Sequence, residues 1–221
     1  MVSLLPGRPQ RGPSGIRNLE RLAANFEAEF QRYCVDVPQG RPTPEKRLQS
    51  FLLRDAYAHG RRMAALNDAS GRTAKPVDLR FVLDELLLPL GEGKRVVCDL
   101  LLLRRTPSGE CVPVVMELKS SRDMTRLLEQ VGGYAALVGA HVPEFEELYG
   151  AVLDEAVSFT GPCEKWIVWP GLETARRPGV DADSSSAADR REAELGAMGI
   201  RVVTYTDMDG VFEFRAGAGV P

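Results

Sequence analysis

Three charged residues, Asp99, Glu117 and Lys119, stand in an otherwise mainly apolar part of the sequence. Because side chains alternate along a strand, Glu117 and Lys119 would project to one face and Leu118 to the other. Lone charges on apolar strands are costly to bury, so this cluster requires a partner or a function. Two carboxylates form a hard oxygen site suited to Mg²⁺, and a nearby ammonium can position or deprotonate an attacking water. The pattern therefore predicts metal-assisted attack on phosphorus.

The same three charges also permit a purely structural interpretation. Lys119 could neutralise Asp99 or Glu117 as an ion pair at a sheet edge. A D…ExK pattern occurs often by chance, so the surrounding residues must decide between the two interpretations.

Further polar residues fall where they could support the cluster. Glu45 opens a predicted helix and could supply a third carboxylate at the metal site, although an acid in a first turn also stabilises the helix N-terminus. Gln130 and Tyr134 are four positions apart and therefore share one helix face, which could point toward the strand end or a DNA backbone. The alternative for this pair is a polar helix surface with a half-buried tyrosine.

Several residues could contact the phosphates of a nucleic acid. Ser120 and Ser121 follow the strand directly and could donate hydrogen bonds to phosphate, or serve in turn and helix-cap chemistry. Arg104, Arg122 and Arg126 could attract the backbone by charge.

The charge distribution is more informative than the net charge of −3. Residues 41–126 hold 16 basic and 11 acidic residues, whereas residues 127–221 hold 7 basic and 16 acidic residues. The middle of the chain is therefore suited to an anionic partner, and the acidic end could dock a partner protein.

The elements that must hold these residues follow from the spacing of apolar side chains. Helices are predicted at 16–33, 44–66 with an N-cap at Thr43, 124–140, about 145–156 and 187–198. Strands are predicted at 79–87, 95–104, 112–119, 165–169, 200–205 and 211–214, with a hairpin turn at TPSG and an exposed loop at 171–189. This order predicts an α/β (α+β) fold with a mixed central β-sheet flanked by helices.

A length of 221 residues favours one domain. Residues 1–15 are rich in Gly and Pro and are expected to be a flexible tail. Residues 16–221 would form one domain, with a core at about 43–170 and a C-terminal α/β extension at about 171–221. No segment reads as a membrane span or a secretory signal, so a soluble, cytoplasmic protein is expected, and the scattered cysteines make a zinc or disulfide framework unexpected.

These motifs together resemble a known family, the PD-(D/E)xK nuclease superfamily, in its QxxxY or RecB-type branch. The resemblance covers about residues 43–170 and rests on the order of four motifs, Glu45-x-x-Leu-Gln49, Asp99, Glu117-Leu118-Lys119 and Gln130-x-x-x-Tyr134. It implies a restriction-endonuclease-like core, and Mg²⁺ held by Asp99, Glu117 and the Leu118 carbonyl, with Mn²⁺ as a substitute. It also implies that Lys119 assists the attacking water, while Gln130 and Tyr134 contact DNA or orient the site.

The resulting hypothesis is a metal-dependent nuclease that hydrolyses phosphodiester bonds, with DNA as the expected substrate. One alternative is a catalytically silent nuclease-like fold that binds nucleic acid or protein. Another is a soluble regulator in which the charged trio is only an ion-pair network. A homodimer or a partner protein could use helix 16–33 or the acidic C-terminal part.

Overall fold

A computed structural model describes residues 43–70, 78–91, 94–122, 124, 126–171 and 183–216. The predicted tail at 1–15 and the predicted helix at 16–33 lie outside these residues. Within them the chain forms five helices, α1 Pro44–Ala58, α2 Ala64–Ser70, α3 Leu127–Ala140, α4 Val142–Leu153 and α5 Asp183–Ala197. The same residues form six strands, β1 Asp78–Gly91, β2 Lys94–Arg105, β3 Cys111–Leu118, β4 Glu164–Pro170, β5 Ile200–Met208 and β6 Val211–Ala216.

The six described strands form one sheet in the order β1-β2-β3-β4-β5-β6. The pairs β1–β2, β2–β3 and β5–β6 are antiparallel, whereas β3–β4 and β4–β5 are parallel. Because a parallel connection requires a crossover, α3 and α4 lie between β3 and β4 in the chain, and α5 lies between β4 and β5. The predicted α+β class with a mixed sheet is therefore confirmed.

The sheet separates two apolar clusters, as the alternation of side chains along each strand requires. On one face, α1 and α2 contribute Leu48, Leu52 and Leu66 to a cluster that includes Met116 and Trp166. On the other face, α3, α4 and α5 contribute a second set of buried side chains, among them Val131, Tyr134, Tyr149 and Leu195. Strand β3 lies at the centre and is buried along its whole length.

The predicted helix from 44 to 66 is interrupted at residues 59–63 and forms two helices instead of one. Its N-terminus is as expected, because the Thr43 hydroxyl accepts a hydrogen bond from the N–H of Lys46 at 3.3 Å. The helix ends at Ala58, and Gly60 and Arg61 then take φ angles of +60° and +69°. Since a right-handed helix requires negative φ, the chain turns at this point and resumes as α2.

Other boundaries differ by a few residues for similar reasons. The helix predicted from Met124 begins at Leu127, because Arg126 has a left-handed φ of 66°. The helix predicted at 145–156 spans Val142–Leu153 and ends at Asp154, whose φ is 55°. The loop predicted at 171–189 is helical from Asp183 onward, while residues 172–182 lie outside the described part. Among the described helices, none has the length and apolar character needed to cross a membrane.

Candidate functional site

The candidate site lies where β2 and β3 stop pairing. The last pair of this antiparallel ladder joins Leu100 to Met116, so Asp99 and Glu117 occupy the next positions on either strand. The register is set by the hairpin at the other end of the two strands, where the N–H of Thr106 donates to the carbonyl of Glu110 at 3.1 Å. The short turn thus places two acidic residues opposite each other although they are 18 positions apart in sequence.

The Asp99 carboxylate replaces a backbone partner that the ending ladder no longer supplies. Its Oδ2 atom accepts a hydrogen bond from the N–H of Leu118 at 2.8 Å. On the other side of β3, the N–H of Lys119 donates to the carbonyl of Val168 on β4 at 2.8 Å. The chain carrying Glu117, Leu118 and Lys119 is therefore anchored to both neighbouring strands.

Glu117 is a buried acid with one cationic partner close by. Only 2% of the residue is exposed to solvent. The Lys119 ammonium donates to its Oε2 atom at 3.1 Å, and the Lys119 side chain is itself 21% exposed. The pair thus reaches from the apolar interior to the surface, with the ammonium on the solvent side.

The two carboxyl groups perturb each other. Burial, together with the charge of Asp99, raises the pKa of Glu117 from 4.5 to about 7 even though Lys119 opposes the change. Burial also raises the pKa of Asp99, while the Leu118 N–H and Lys119 lower it. One ammonium therefore faces two acids, of which Glu117 is buried and Asp99 is half-buried.

The first turn of α1 contacts the residue that follows the C-terminal end of β3. Helix α1 packs on the sheet face opposite to the one that α3 covers. Glu45 Oε1 accepts hydrogen bonds from the N–H and the hydroxyl of Ser120, at 3.0 and 3.2 Å. The charge of Glu45 also contributes to the raised pKa of Asp99. Glu45 was predicted as a supporting acid, and the structure brings it to the turn that follows β3.

Two residues distant in sequence, Tyr205 and Glu85, make contacts near the site that were not foreseen from the sequence. The Tyr205 hydroxyl on β5 donates to the carbonyl of Lys119 at 3.3 Å, which fixes the end of β3 from two strands away. On α1, the Lys46 ammonium pairs with Glu85 on β1 and donates to the buried amide oxygen of Gln49 at 3.0 Å. Neither is marked by a local pattern, since Tyr205 and Glu85 are distant in sequence from the residues they contact.

Gln130 and Tyr134 do not form an exposed pair on the helix surface. Tyr134 is 1% exposed, and its hydroxyl donates to the carbonyl of Leu86 at 3.2 Å. The predicted direct contact between this side chain and a nucleic acid does not fit its place in the core. Gln130 is half-buried on the same helix, and its contact with nucleic acid stays a prediction.

Two of the predicted phosphate-contacting arginines are engaged elsewhere. Arg122 Nε donates to the carbonyl of Pro170 at 2.9 Å, and its guanidinium lies 3.3 Å from Glu192 and 5.0 Å from the Trp169 ring centre. Arg104 pairs with Glu164 at 2.6 Å, and it lies five positions from Asp99 toward the hairpin end of β2. Both therefore support the fold around β4.

The remaining predicted residues lie at the surface beside the strand end. Arg126 is exposed at the N-terminus of α3, and Ser121 is exposed in the turn after Ser120. The Ser120 hydroxyl already donates a hydrogen bond to the Glu45 carboxylate. Contact of these residues with phosphate stays a prediction.

A divalent cation such as Mg²⁺ requires several oxygen ligands at one point. Among the residues that the structure describes, no three His, Cys, Asp or Glu side chains lie close enough to hold a metal ion together. Two carboxylates and a main-chain carbonyl suit Mg²⁺, which keeps several waters and uses one or two protein carboxylates. Burial raises the pKa of both acids, and a bound cation would lower it again by favouring their charged forms. The set fits Mg²⁺ or Mn²⁺.

Comparison with known proteins adds no further assignment. No family model matches the chain, and neither the curated proteins nor the solved structures include a significant match.

Proposed function

We propose that the protein is a metal-dependent nuclease that hydrolyses phosphodiester bonds, with DNA as the expected substrate. The observation that carries this proposal is the pair of acids, Asp99 and Glu117, beside Lys119 at the end of apolar strands. A structural ion pair would need one carboxylate for one ammonium, and a second acid in mainly apolar surroundings only adds to its cost. A divalent cation accounts for the second acid.

Mg²⁺, with Mn²⁺ as a substitute, is the proposed cofactor. Asp99 and Glu117 would hold it through charged oxygens, the Leu118 carbonyl would add a neutral donor, and Glu45 would add negative charge nearby. When bound, the cation would stabilise the charge that develops on the phosphate during displacement.

The protein groups would divide the remaining tasks. The Lys119 ammonium would hold an attacking water by donating a hydrogen bond to its oxygen, and it would offset negative charge on the phosphate. The bond between Asp99 and the Leu118 N–H keeps one carboxylate in a fixed orientation. The bonds from Ser120 to Glu45 hold the turn after β3, so that Lys119 keeps its position.

Membership of the PD-(D/E)xK superfamily, with a restriction-endonuclease-like core, is part of the same proposal. Its support is the arrangement of the motifs on a mixed sheet. The acid at 99 lies on β2, the Glu-Leu-Lys motif lies at the end of the central strand β3, and α1 brings Glu45 to that end. The helix α3, which follows the motif, packs on the other face.

A catalytically silent nucleic-acid- or protein-binding module is the second candidate. The observation in its favour is the bond between Lys119 and Glu117, which partly satisfies both charges without a cation. This candidate predicts that the acids bind no divalent ion, whereas the nuclease requires that they do.

The deciding experiment combines cleavage with metal binding. Labelled single- and double-stranded DNA and RNA are incubated with the protein in Mg²⁺, Mn²⁺ or EDTA, and Mn²⁺ affinity is measured by calorimetric titration. The test variant is Glu117→Gln, and the matched control is Glu213→Gln, which removes an exposed carboxylate on β6. We expect Glu117→Gln to abolish cleavage and Mn²⁺ binding, while Glu213→Gln resembles the parent. Cleavage in EDTA, or undiminished Mn²⁺ affinity in Glu117→Gln, would contradict the proposal.

A further inference from the structure

One exposed stripe runs along α1, away from the two sheet faces. The exposed residues Lys46, Ser50, Arg54 and Tyr57 follow one another at intervals of four, four and three positions. This spacing places them on a single side of the helix. The opposite side is apolar and packs Leu48, Leu52 and Ala56 into the core.

The stripe carries positive charge that its surroundings do not fully neutralise. Lys46 is paired with Glu85. Arg54 Nε donates to the carbonyl of Ser50 at 3.3 Å. Arg61, which follows the stripe in the sequence, donates through Nη1 to the carbonyl of Val82 at 3.3 Å. Within the part of the chain that the structure describes, neither arginine forms a salt bridge with a carboxylate. The stripe therefore attracts an anionic chain.

At its far end the stripe carries an aromatic ring that faces solvent. Tyr57 is 65% exposed, the largest exposed fraction among the large apolar side chains that stand out at the surface. Phe81 packs against this ring in a T-shaped arrangement, with ring centres 5.8 Å apart, and the Arg61 guanidinium lies 5.9 Å from the Phe81 ring centre. A supported, solvent-facing ring beside cations is the arrangement on which nucleic-acid bases stack.

The stripe begins beside the candidate site. Glu45, which contacts Ser120, directly precedes Lys46 in the first turn of α1. From Lys46 to Tyr57 the helix rises by roughly 16 Å at about 1.5 Å per residue. This length accommodates roughly three to five nucleotides of one strand.

We propose that the exposed stripe of α1 formed by Lys46, Ser50, Arg54 and Tyr57, with Arg61 beside it, binds a single strand of nucleic acid that leads to or from the Asp99–Glu117 site. The arginines contact phosphates, and the Tyr57 ring stacks on an unpaired base. A single strand is specified because a base within a duplex does not offer its face to a side chain. The inference rests on the proposed nuclease function and names the form of its substrate.

The test measures binding without catalysis. Fluorescence anisotropy of a short dye-labelled oligothymidylate, and of the corresponding oligouridylate, is recorded with the full chain in EDTA. We expect Tyr57→Ala to weaken binding roughly 5- to 100-fold and Tyr57→Phe to leave it unchanged, because the ring alone is needed for stacking. Tyr57→Leu keeps apolar bulk against Phe81 but offers no flat ring, so it should lose affinity while its melting temperature stays near that of the parent.

The arginine is tested through the salt dependence of binding. Arg54→Gln should reduce the slope of log affinity against log salt concentration by about 0.7, the value for one phosphate contact on a single strand. The control is Arg215→Gln, which removes an exposed charge on β6. Since Phe212 and Phe214 of β6 both contact Phe51 on α1, Arg215 projects from the other face of the sheet. The control should leave the slope unchanged.

Binding and cleavage give separable outcomes. The inference is supported if Tyr57→Ala and Tyr57→Leu lose affinity for the oligonucleotide while Arg215→Gln keeps the parental salt dependence. This holds even if no variant cleaves and the nuclease proposal fails. If the parent cleaves nucleic acid in Mg²⁺ while the Tyr57 and Arg54 variants bind as the parent does, the proposed binding role of the stripe is wrong and the nuclease proposal is supported. No binding of either oligonucleotide, or equal binding of a duplex that Tyr57→Ala does not affect, also overturns the inference.

Discussion

Asp99 on β2 holds the backbone of β3 through its side chain, with Oδ2 2.8 Å from the amide nitrogen of Leu118. This bond lies one step beyond the last backbone pair of the two strands, Leu100 with Met116. The acid therefore has two roles, since it satisfies a backbone donor and contributes charge to the candidate metal site. The two roles can be separated by substitution.

Asp99→Asn and Asp99→Ala should differ in stability but not in metal binding. The asparagine side-chain oxygen can still accept from the Leu118 N–H, whereas alanine leaves that donor without its partner, which costs about 1–3 kcal/mol. Both lose the charged ligand. Urea unfolding should show Asp99→Ala less stable than Asp99→Asn, and calorimetry should show neither binding Mn²⁺. Equal stability of the two variants would contradict the structural role.

Without metal, the stability of the protein should fall as pH rises through the range set by Glu117. The folded pKa of about 7 lies above the ordinary value of 4.5, so the folded state holds this proton more tightly than the unfolded chain. The stabilisation is fully present below about pH 4.5 and is lost by about pH 7, with a maximum size of about 3 kcal/mol.

This dependence is measured as a difference from Glu117→Gln, because other carboxylates titrate in the same range. The free energy of unfolding in EDTA should decrease with pH more steeply in the parent than in the variant. Added Mn²⁺ should restore parental stability near neutral pH, since it binds the ionised acids. If the free energy of unfolding in EDTA changes with pH equally in the parent and in Glu117→Gln, the pKa of Glu117 is not raised by folding.

Lys119→Met should abolish the proposed cleavage and preserve or tighten metal binding. Methionine keeps much of the apolar stem but removes the ammonium, so the carboxylates lose a competing cation and the water loses its positioning group. A role of this kind is worth roughly 10²–10⁴-fold in rate. Single-turnover cleavage at saturating Mg²⁺ gives the rate, and Mn²⁺ titration of the same samples gives the affinity. A parental rate would remove Lys119 from the chemistry.

Glu45→Gln and Glu45→Ala distinguish a ligand from a support. Glutamine retains an oxygen that can accept from Ser120, so it should keep the turn after β3 in place, whereas alanine releases it. We expect cleavage by Glu45→Ala to fall on the order of 10²-fold through misplacement of Lys119, with a smaller loss in Glu45→Gln. If both variants lose Mn²⁺ binding equally, Glu45 is a ligand instead.

Tyr134→Phe should reduce stability and leave nucleic-acid affinity unchanged. The substitution removes the hydroxyl that donates to the Leu86 carbonyl in the core, a loss of about 1 kcal/mol. Gln130→Ala on the same helix is the comparison, because Gln130 is half-buried and was predicted to contact the substrate. Thermal unfolding and anisotropy on both variants check the assignment. Weaker binding by folded Tyr134→Phe would argue for a direct role.

The sequence predicted the central part of the site because that part depends on local rules. The TPSG turn forms a short hairpin, alternation along the strands sets the faces, and the two together bring Asp99 opposite Glu117. The position of Glu45 followed from a helix that starts at a recognisable N-cap, Thr43.

The parts that were not predicted depend on contacts between distant segments. Arg122 resembled a phosphate contact, but it is held by Pro170 and Glu192, which lie 48 and 70 positions later. Tyr134 is buried because β1 lies under it and offers the Leu86 carbonyl. The break at Gly60 was also missed, since a single glycine only weakens a helix, and here the pairing of the next segment with β1 determined the turn.

The turn after β3 is held by residues from both ends of the described chain, Glu45 from 75 positions before Ser120 and Tyr205 from 86 positions after Lys119. Contacts of such long sequence separation form late, because the chain entropy lost in closing the intervening loops must be offset by other contacts first. The folding transition state should therefore lack a finished candidate cation site. Mn²⁺ would then leave the refolding rate nearly unchanged and slow unfolding, so the ion would act on the lifetime of the native state rather than on its formation.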